Sequence, residues 1–219
     1  MIVTRTDYIY LHGFASSPNS SKAQYLCDRF SALHIPLKIP DFNQGGFSDI
    51  TITRQIEQVK AEIESNNTSV TLIGSSLGGL TAAWLGEKYP QVQKLVLLAP
   101  AFNFLSHWLT KLGEAELERW QKEQYLSVYH YGEKRSLPLN HNFLLDASKY
   151  SEQLLQKSIP TLIVHGLHDQ VIPIQASRNF ALKRPWVTLI EFDSDHALSN
   201  VMAETWEAIK VFCQLLPSH

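Results

Sequence analysis

The chain has 219 residues, 44% of them hydrophobic, and a formal net charge of −2 from 19 basic and 21 acidic residues. That length suits one compact domain, residues 1–219, able to take roughly 70% of the unfolded chain's surface out of water without a metal or disulfide staple. No basic cluster suited to a phosphate backbone or anionic membrane is present, and no window reaches the ~18 apolar residues of a membrane span, so neither nucleic acid nor membrane is expected as a partner.

The first seven residues hold Arg5 but no apolar stretch of signal-peptide length follows them. With Cys27 and Cys213 isolated and unpaired in spacing, both are expected as buried free thiols in a reducing, cytoplasmic location. Short β-rich apolar runs then recur at 8–11, 35–39, 70–73, 95–98, 161–164 and 187–190, separated by helix-like stretches. Most are continuous rather than alternating, which suits strands buried on both faces of a parallel sheet.

The first run ends in His12-Gly13-Phe14-Ala15. Gly13 there would let the backbone come close to a neighbour and aim the Phe14 N–H inward; an ordinary turn is the alternative. Before the third run, Ile52, Ile56, Val59 and Ile63 place one apolar stripe on a helix that ends near residues 65–67.

The run 70–73 leads straight into Gly74-Ser75-Ser76-Leu77-Gly78-Gly79 and a helix-like stretch to Tyr89. Gly-x-Ser-x-Gly between a strand and a helix is the nucleophile-elbow pattern. The chain must reverse so sharply that side chains at the flanking positions would collide, and the turn lifts Ser76 above the sheet. A helix beginning there also aims N–H groups and partial positive charge at the reacting centre, with the Leu77 N–H foremost. Ser75 is the local competitor, but the motif registers on Ser76.

Residues 101–157 break the strand rhythm. They hold Phe102, Phe104, Trp108, Trp120, Tyr125, Tyr129, Tyr131 and Phe143 without an obvious central strand, and are expected to form an inserted helical cap, charged and helix-favouring at 114–122 and punctuated by Gly132 and Pro138. Phe14, Phe102 and Trp108 are candidates to line a substrate pocket, with packing inside the cap as the alternative.

A serine hydroxyl needs a base, and the base an orienting carboxylate, in the chain order Ser, Asp or Glu, His. After the run 161–164 comes His165-Gly166-Leu167-His168-Asp169, and after 187–190 comes Asp193-Ser194-Asp195-His196. Asp169 and His196 thus follow successive strands, on the edge where open α/β sheets bind ligands. Asp169 also reads as a turn aspartate and Asp193 as a weaker alternative carboxylate. His12 and His165 each precede a glycine at a strand end, where structural hydrogen bonding is expected. The last helix repeats an apolar stripe at Met202, Trp206, Ile209, Cys213 and Leu216. No phosphate-loop pattern and no helically spaced histidine pair is present, so no nucleotide cofactor and no metal is expected.

The stretches YLHGFASSPNSSKA at 10–23, GSSLGG at 74–79, HGLHDQVIP at 165–173 and DSDHAL at 193–198 resemble the YqiA-like small bacterial esterases of the α/β-hydrolase superfamily. The resemblance implies an α/β-hydrolase fold, a mostly parallel sheet flanked by helices, into which the helical cap expected at 101–157 is inserted. It also implies a Ser76, Asp169, His196 triad and short-chain acyl esters as small-molecule substrates; acyl transfer through a serine equally suits thioesters. The superfamily often opens with two further antiparallel strands, for which the residues before Tyr8 leave no room, so a trimmed sheet of about six strands is expected. The alternatives are a non-catalytic binding protein on a hydrolase fold, or a carbon-carbon bond hydrolase or perhydrolase using the same three residues.

Overall fold

The computed structural model describes residues 6–64 and 68–215; the expected helix end at 65–67 and the stripe residue Leu216 lie outside them. The chain alternates strand and helix: β1 (Thr6–Leu11), α1 (Ser21–Ser31), β2 (Leu37–Lys38), α2 (Ile52–Glu64), β3 (Ser69–Ser75), α3 (Leu77–Lys88) and β4 (Val92–Leu98). After an insertion it resumes with β7 (Thr161–Gly166), α7 (Ile174–Leu182), β8 (Val187–Phe192) and α8 (Met202–Cys213). These six strands form one parallel sheet in the order β2-β1-β3-β4-β7-β8.

The continuous apolar runs are explained by two cores. Ile9 and Leu11 of β1, Leu72 of β3, Leu97 of β4 and Ile163 of β7 face one, with Ile56 and Val59 of α2 packed there. Tyr8, Tyr10, Ile73, Val96, Leu98 and Leu162 face the other, beneath Leu26 and Phe30 of α1 and Trp206 and Ile209 of α8. Successive residues of one strand thus serve opposite faces, so neither parity can be polar. Within β3 and α3, nearly every residue from Val70 to Leu85 is buried, which puts the strand-to-helix turn at Ser76 in the middle of the molecule.

From β1 the chain moves outward to β2 and then returns across β1 to β3. The order of strands reverses there, opening a crevice at the carboxyl ends of β1 and β3. Gly13 follows one of those strands and Ser76 the other.

Between β4 and β7 lie α4 (Phe104–Leu112), α5 (Glu114–Glu123), α6 (Asn142–Ala147) and an antiparallel hairpin of β5 (Tyr125–His130) and β6 (Arg135–Asn140). The insertion therefore holds helices and, in addition, a hairpin. Leu126 and His130 point inward while Tyr125 and Tyr129 are exposed. Trp120 of α5 is fully buried and its Nε1 donates to the Leu139 carbonyl at 2.9 Å, which clamps the helix to the hairpin. Cys213 is buried and Cys27 half-buried, both as free thiols. Among the described residues, no helix is long and apolar enough to cross a membrane.

Candidate active site

The turn from β3 into α3 is held by close backbone contact. A Cβ on Gly74 would lie 2.3 Å from the Gly78 carbonyl oxygen, and one on Gly78 would lie 2.2 Å from that of Leu11. Only glycine lets α3 begin directly against β1 and β3. Ser76 itself takes φ 53° and ψ −118°, a left-handed conformation that L residues rarely adopt. Its N–H donates to Leu98 O at 2.9 Å, and its carbonyl accepts from Gly79, Leu80 and Ala101 N–H groups. The surrounding strand ends thereby fix the strained residue.

A residue held in such a conformation stores about 1–3 kcal/mol. Ser76→Gly, which relieves it but loosens the unfolded chain, is therefore expected to raise unfolding stability by about 1 kcal/mol in urea titrations while removing the hydroxyl. A loss of stability in that variant would mean that the turn is unstrained.

At the end of β7, Asp169 splits its two oxygens between two tasks. Oδ1 accepts from the Val171 and Ile172 N–H groups, both at 2.8 Å, which is the turn role anticipated for it. Oδ2 lies 2.7 Å from His196 Nδ1 and 3.0 Å from His165 Nε2. Turn and histidine partner are thus one residue. His165 Nε2 also lies 3.0 Å from the Ile172 carbonyl. Facing two acceptors, that nitrogen carries the proton, and Nδ1 accepts from Ser177 Oγ at 2.8 Å. The fully buried His165 is a structural brace for the carboxylate.

Burial alone would push the Asp169 carboxyl upward. Hydrogen bonds from His165 and His196, the charge attraction of His196 and the Ile172 amide outweigh it and hold the group well below the usual carboxylate range. An ionised Asp169 requires the proton on His196 Nδ1, which leaves Nε2 with its lone pair free. The His196 side chain is 24% exposed, enough to meet a substrate at the surface.

Asp193 does not reach His196. It pairs with His168 at 2.9 Å, with 89% of its side chain exposed. His12 is also structural: Nδ1 donates to the Gly13 carbonyl at 3.0 Å and Nε2 accepts from Phe42 N–H at 3.1 Å, and burial lowers its pKa, leaving it neutral. It shapes the loop over the elbow, where a Cβ on Gly13 would sit 3.3 Å from both Ser75 O and Ser76 Cβ. Phe14 follows directly, and Leu77 opens α3, where its N–H has no intrahelical acceptor.

The three pocket candidates separate. Phe14 joins Phe47, Trp108 and Phe143 in one aromatic cluster, with ring centroids 5.4, 6.1 and 5.2 Å away. Phe102 instead stacks on Phe180 at 4.3 Å and lines a cavity of about 380 Å³ between α4 and α7 that contains none of Ser76, Asp169 or His196. The hairpin reaches the first loop through Tyr131 N–H to Ala15 O at 2.8 Å and through His130 Nε2 to Asn43 Oδ1 at 3.1 Å, a link that the sequence alone did not suggest. Lys22, within the motif 10–23, donates from Nζ to Ser75 Oγ at 3.0 Å, a contact that residue order does not reveal. Ser75 is buried on that lysine rather than open to a substrate. Among the described residues, no hydrogen bond joins Ser76 Oγ to His196.

The sequence pattern of an uncharacterised protein family, UPF0227, matches residues 7–213. Among solved structures, a candidate hydrolase from Agrobacterium vitis S4 superposes with a TM-score of 0.83 at 24% identity, covering 95% of this chain and 88% of that one. Est1E from Butyrivibrio proteoclasticus with ferulic acid bound gives 0.80 at 20% identity, over 96% and 89%. The α/β hydrolase domain-containing protein 10 from mouse gives 0.78 at 19%, over 96% and 90%. The fold is that of the α/β hydrolases.

Proposed function

The chain belongs to the UPF0227 family, that of the YqiA-like proteins, and from this premise we propose that it is a serine esterase cleaving short-chain carboxylic esters or thioesters through an acyl-enzyme. The observation that carries the reading is the 2.7 Å contact of His196 Nδ1 with the carboxylate of Asp169 on the same sheet edge as the strained Ser76. That contact leaves Nε2 as a base directed away from the carboxylate.

In this reading, His196 Nε2 takes the Ser76 hydroxyl proton as Oγ attacks the acyl carbon. The Leu77 and Phe14 N–H groups hold the developing oxyanion, each donor contributing ~3 kcal/mol to the transition state. His196 then protonates the leaving alcohol, and water repeats the sequence to free the acid. The nucleophile and base require a hydrogen bond in the substrate complex, where such bonds commonly tighten. Ferulic acid in Est1E is a carboxylic acid, the product class that ester cleavage releases, and this supports the choice of substrate.

The experiment is a panel of p-nitrophenyl esters of graded acyl length, run on the native protein and on Trp108→Ala. Hydrolysis with a preference for short chains is expected. Because Trp108 packs 6.1 Å from Phe14, its removal should open room for longer acyl groups and shift the preference upward by two or more carbons, with discrimination of about tenfold per methylene. An unchanged preference would return that cluster to pure packing.

A further inference from the structure

The loop between β1 and α1 carries Phe14, one of the two proposed oxyanion donors, while the other, Leu77, opens α3 just beyond Ser76. Both N–H groups can serve one oxygen only if that loop keeps a fixed distance from the elbow, to within about 0.5 Å.

At its start the loop is tied to the elbow by the sheet, where Leu11 pairs with Gly74. His12 then sets a direction. Phe42 N–H donates to its Nε2, so Nδ1 carries the proton and donates to the Gly13 carbonyl at 3.0 Å. In a trans peptide the Phe14 N–H points opposite to that carbonyl. Past Phe14, Ala15 takes a left-handed φ of 52°. The bonds in the middle of the loop run away from the elbow, from Tyr131 N–H to Ala15 O at 2.8 Å and from Asn43 Nδ2 to Ser16 O at 2.8 Å.

The far end is fastened by Lys22. It stands in the first turn of α1, after the N-cap Ser20, and its Nζ donates to Ser75 Oγ at 3.0 Å. Ser75 ends β3. The two ends of the loop are thus anchored to consecutive residues, Gly74 and Ser75, that lead into the strained Ser76. Residues 12–21 are closed over the turn between these anchors, so tightly that a Cβ on Gly13 would lie 3.3 Å from Ser75 O and from Ser76 Cβ.

A cation is a costly fastening for this helix. It stands at the positive end of α1, whose first turn has no acidic residue, and among the described residues no carboxylate lies within ion-pair distance of it. What it supplies in return is a charge-assisted bond, about twice as strong as one between neutral groups.

We propose that Lys22 is a positioning residue for the esterase reaction: its bond to Ser75 closes the first loop against the elbow and so sets the spacing of the Phe14 and Leu77 N–H groups around the oxyanion. The proposal rests on the esterase reading above.

The test is steady-state kinetics on p-nitrophenyl acetate beside inhibition by a trifluoromethyl ketone. Ser76 Oγ adds to the ketone carbon, His196 takes the hydroxyl proton, and the ketone oxygen becomes the oxyanion that the two donors hold. Lys22→Met should lower kcat by about 10–100-fold, part of the 10²–10³ that a lost donor costs, with KM nearly unchanged. Affinity for the ketone should fall by the same factor as kcat/KM. Ser75→Ala, which removes the acceptor, should do the same, and the double variant should lose no more than either single one, because all three break one bond. Thermal melts check that each variant is folded, and Lys22→Gln replaces the Met variant should that one not fold. Native kcat in a folded Lys22 variant overturns the proposal. So do losses that multiply in the double variant, or a fall in kcat that leaves ketone binding native. Should neither Lys22 variant fold, Ser75→Ala decides alone, and native kcat and ketone affinity there overturn the proposal. Absence of ester hydrolysis by the native protein would instead overturn the esterase reading, before Lys22 is changed at all.

Discussion

Ser76→Ala lowers kcat on p-nitrophenyl acetate by about 10⁶-fold if Ser76, His196 and Asp169 act as one unit. The fold should be untouched, because alanine meets the same strained φ of 53° and loses only the hydroxyl. No neighbouring serine can take over: Ser75 is buried and bonded to Lys22. Steady-state kinetics beside a thermal melt separate the two effects. A variant that melts like the native protein and keeps its rate would remove Ser76 from the mechanism.

Asp169→Asn should cost about 10⁴-fold in kcat through the wrong histidine tautomer. The turn decides which way the new amide faces. Its oxygen must take the place of Oδ1 to accept from the Val171 and Ile172 N–H groups, so its NH₂ occupies the place of Oδ2. There it meets His196 Nδ1 and His165 Nε2, both of which carry protons in the native arrangement. His196 must move its proton to Nε2, the atom that should accept from Ser76.

The same variant should lose about 1–3 kcal/mol of stability at neutral pH, because His165 is left with mismatched partners on a buried ring. The pH dependence has a definite sign. The folded Asp169 carboxyl is held below its unfolded value, so its stabilisation is complete above about pH 4 and fades as pH falls through the folded value. Urea titrations at pH 7 and pH 3 measure this. The gap between native protein and variant should narrow at the lower pH, and a gap that widens would contradict the assigned charge.

Much of the architecture is legible in residue order, for identifiable reasons. The four central strands of the sheet announce themselves because both faces of each are covered, so their runs are almost continuously apolar. The elbow is legible because a turn this tight demands glycine at 74 and 78, where any Cβ would strike backbone. Asp169 and His196 follow from their places after successive strands. The hairpin of β5 and β6 is harder to read. Its alternation of Leu126 and His130 with Ser127 and Tyr129 is present, but exposed tyrosines on the outer face and Pro138 within β6 blur the contrast. Helix α1 shows only Ala23, Leu26 and Phe30 as a buried stripe.

Phe102 and Lys22 mark the real limit. Phe102 looks like a cap aromatic, yet its partner Phe180 lies across the fold on α7. Lys22 follows a run of serines that reads as a solvated turn, and nothing local reveals that its head reaches the end of β3, fifty-three positions away. Such placements come from tertiary packing of distant elements, which spacing along the chain does not encode.

The most direct test of the proposed chemistry is to treat the folded protein with a fluorophosphonate and map the modified peptide by mass spectrometry. Only a serine deprotonated by its neighbours attacks the phosphorus, so a single adduct on Ser76, lost in His196→Ala, is the expected result. A protein that stays unlabelled while folded, or an adduct carried by another serine, would contradict the account.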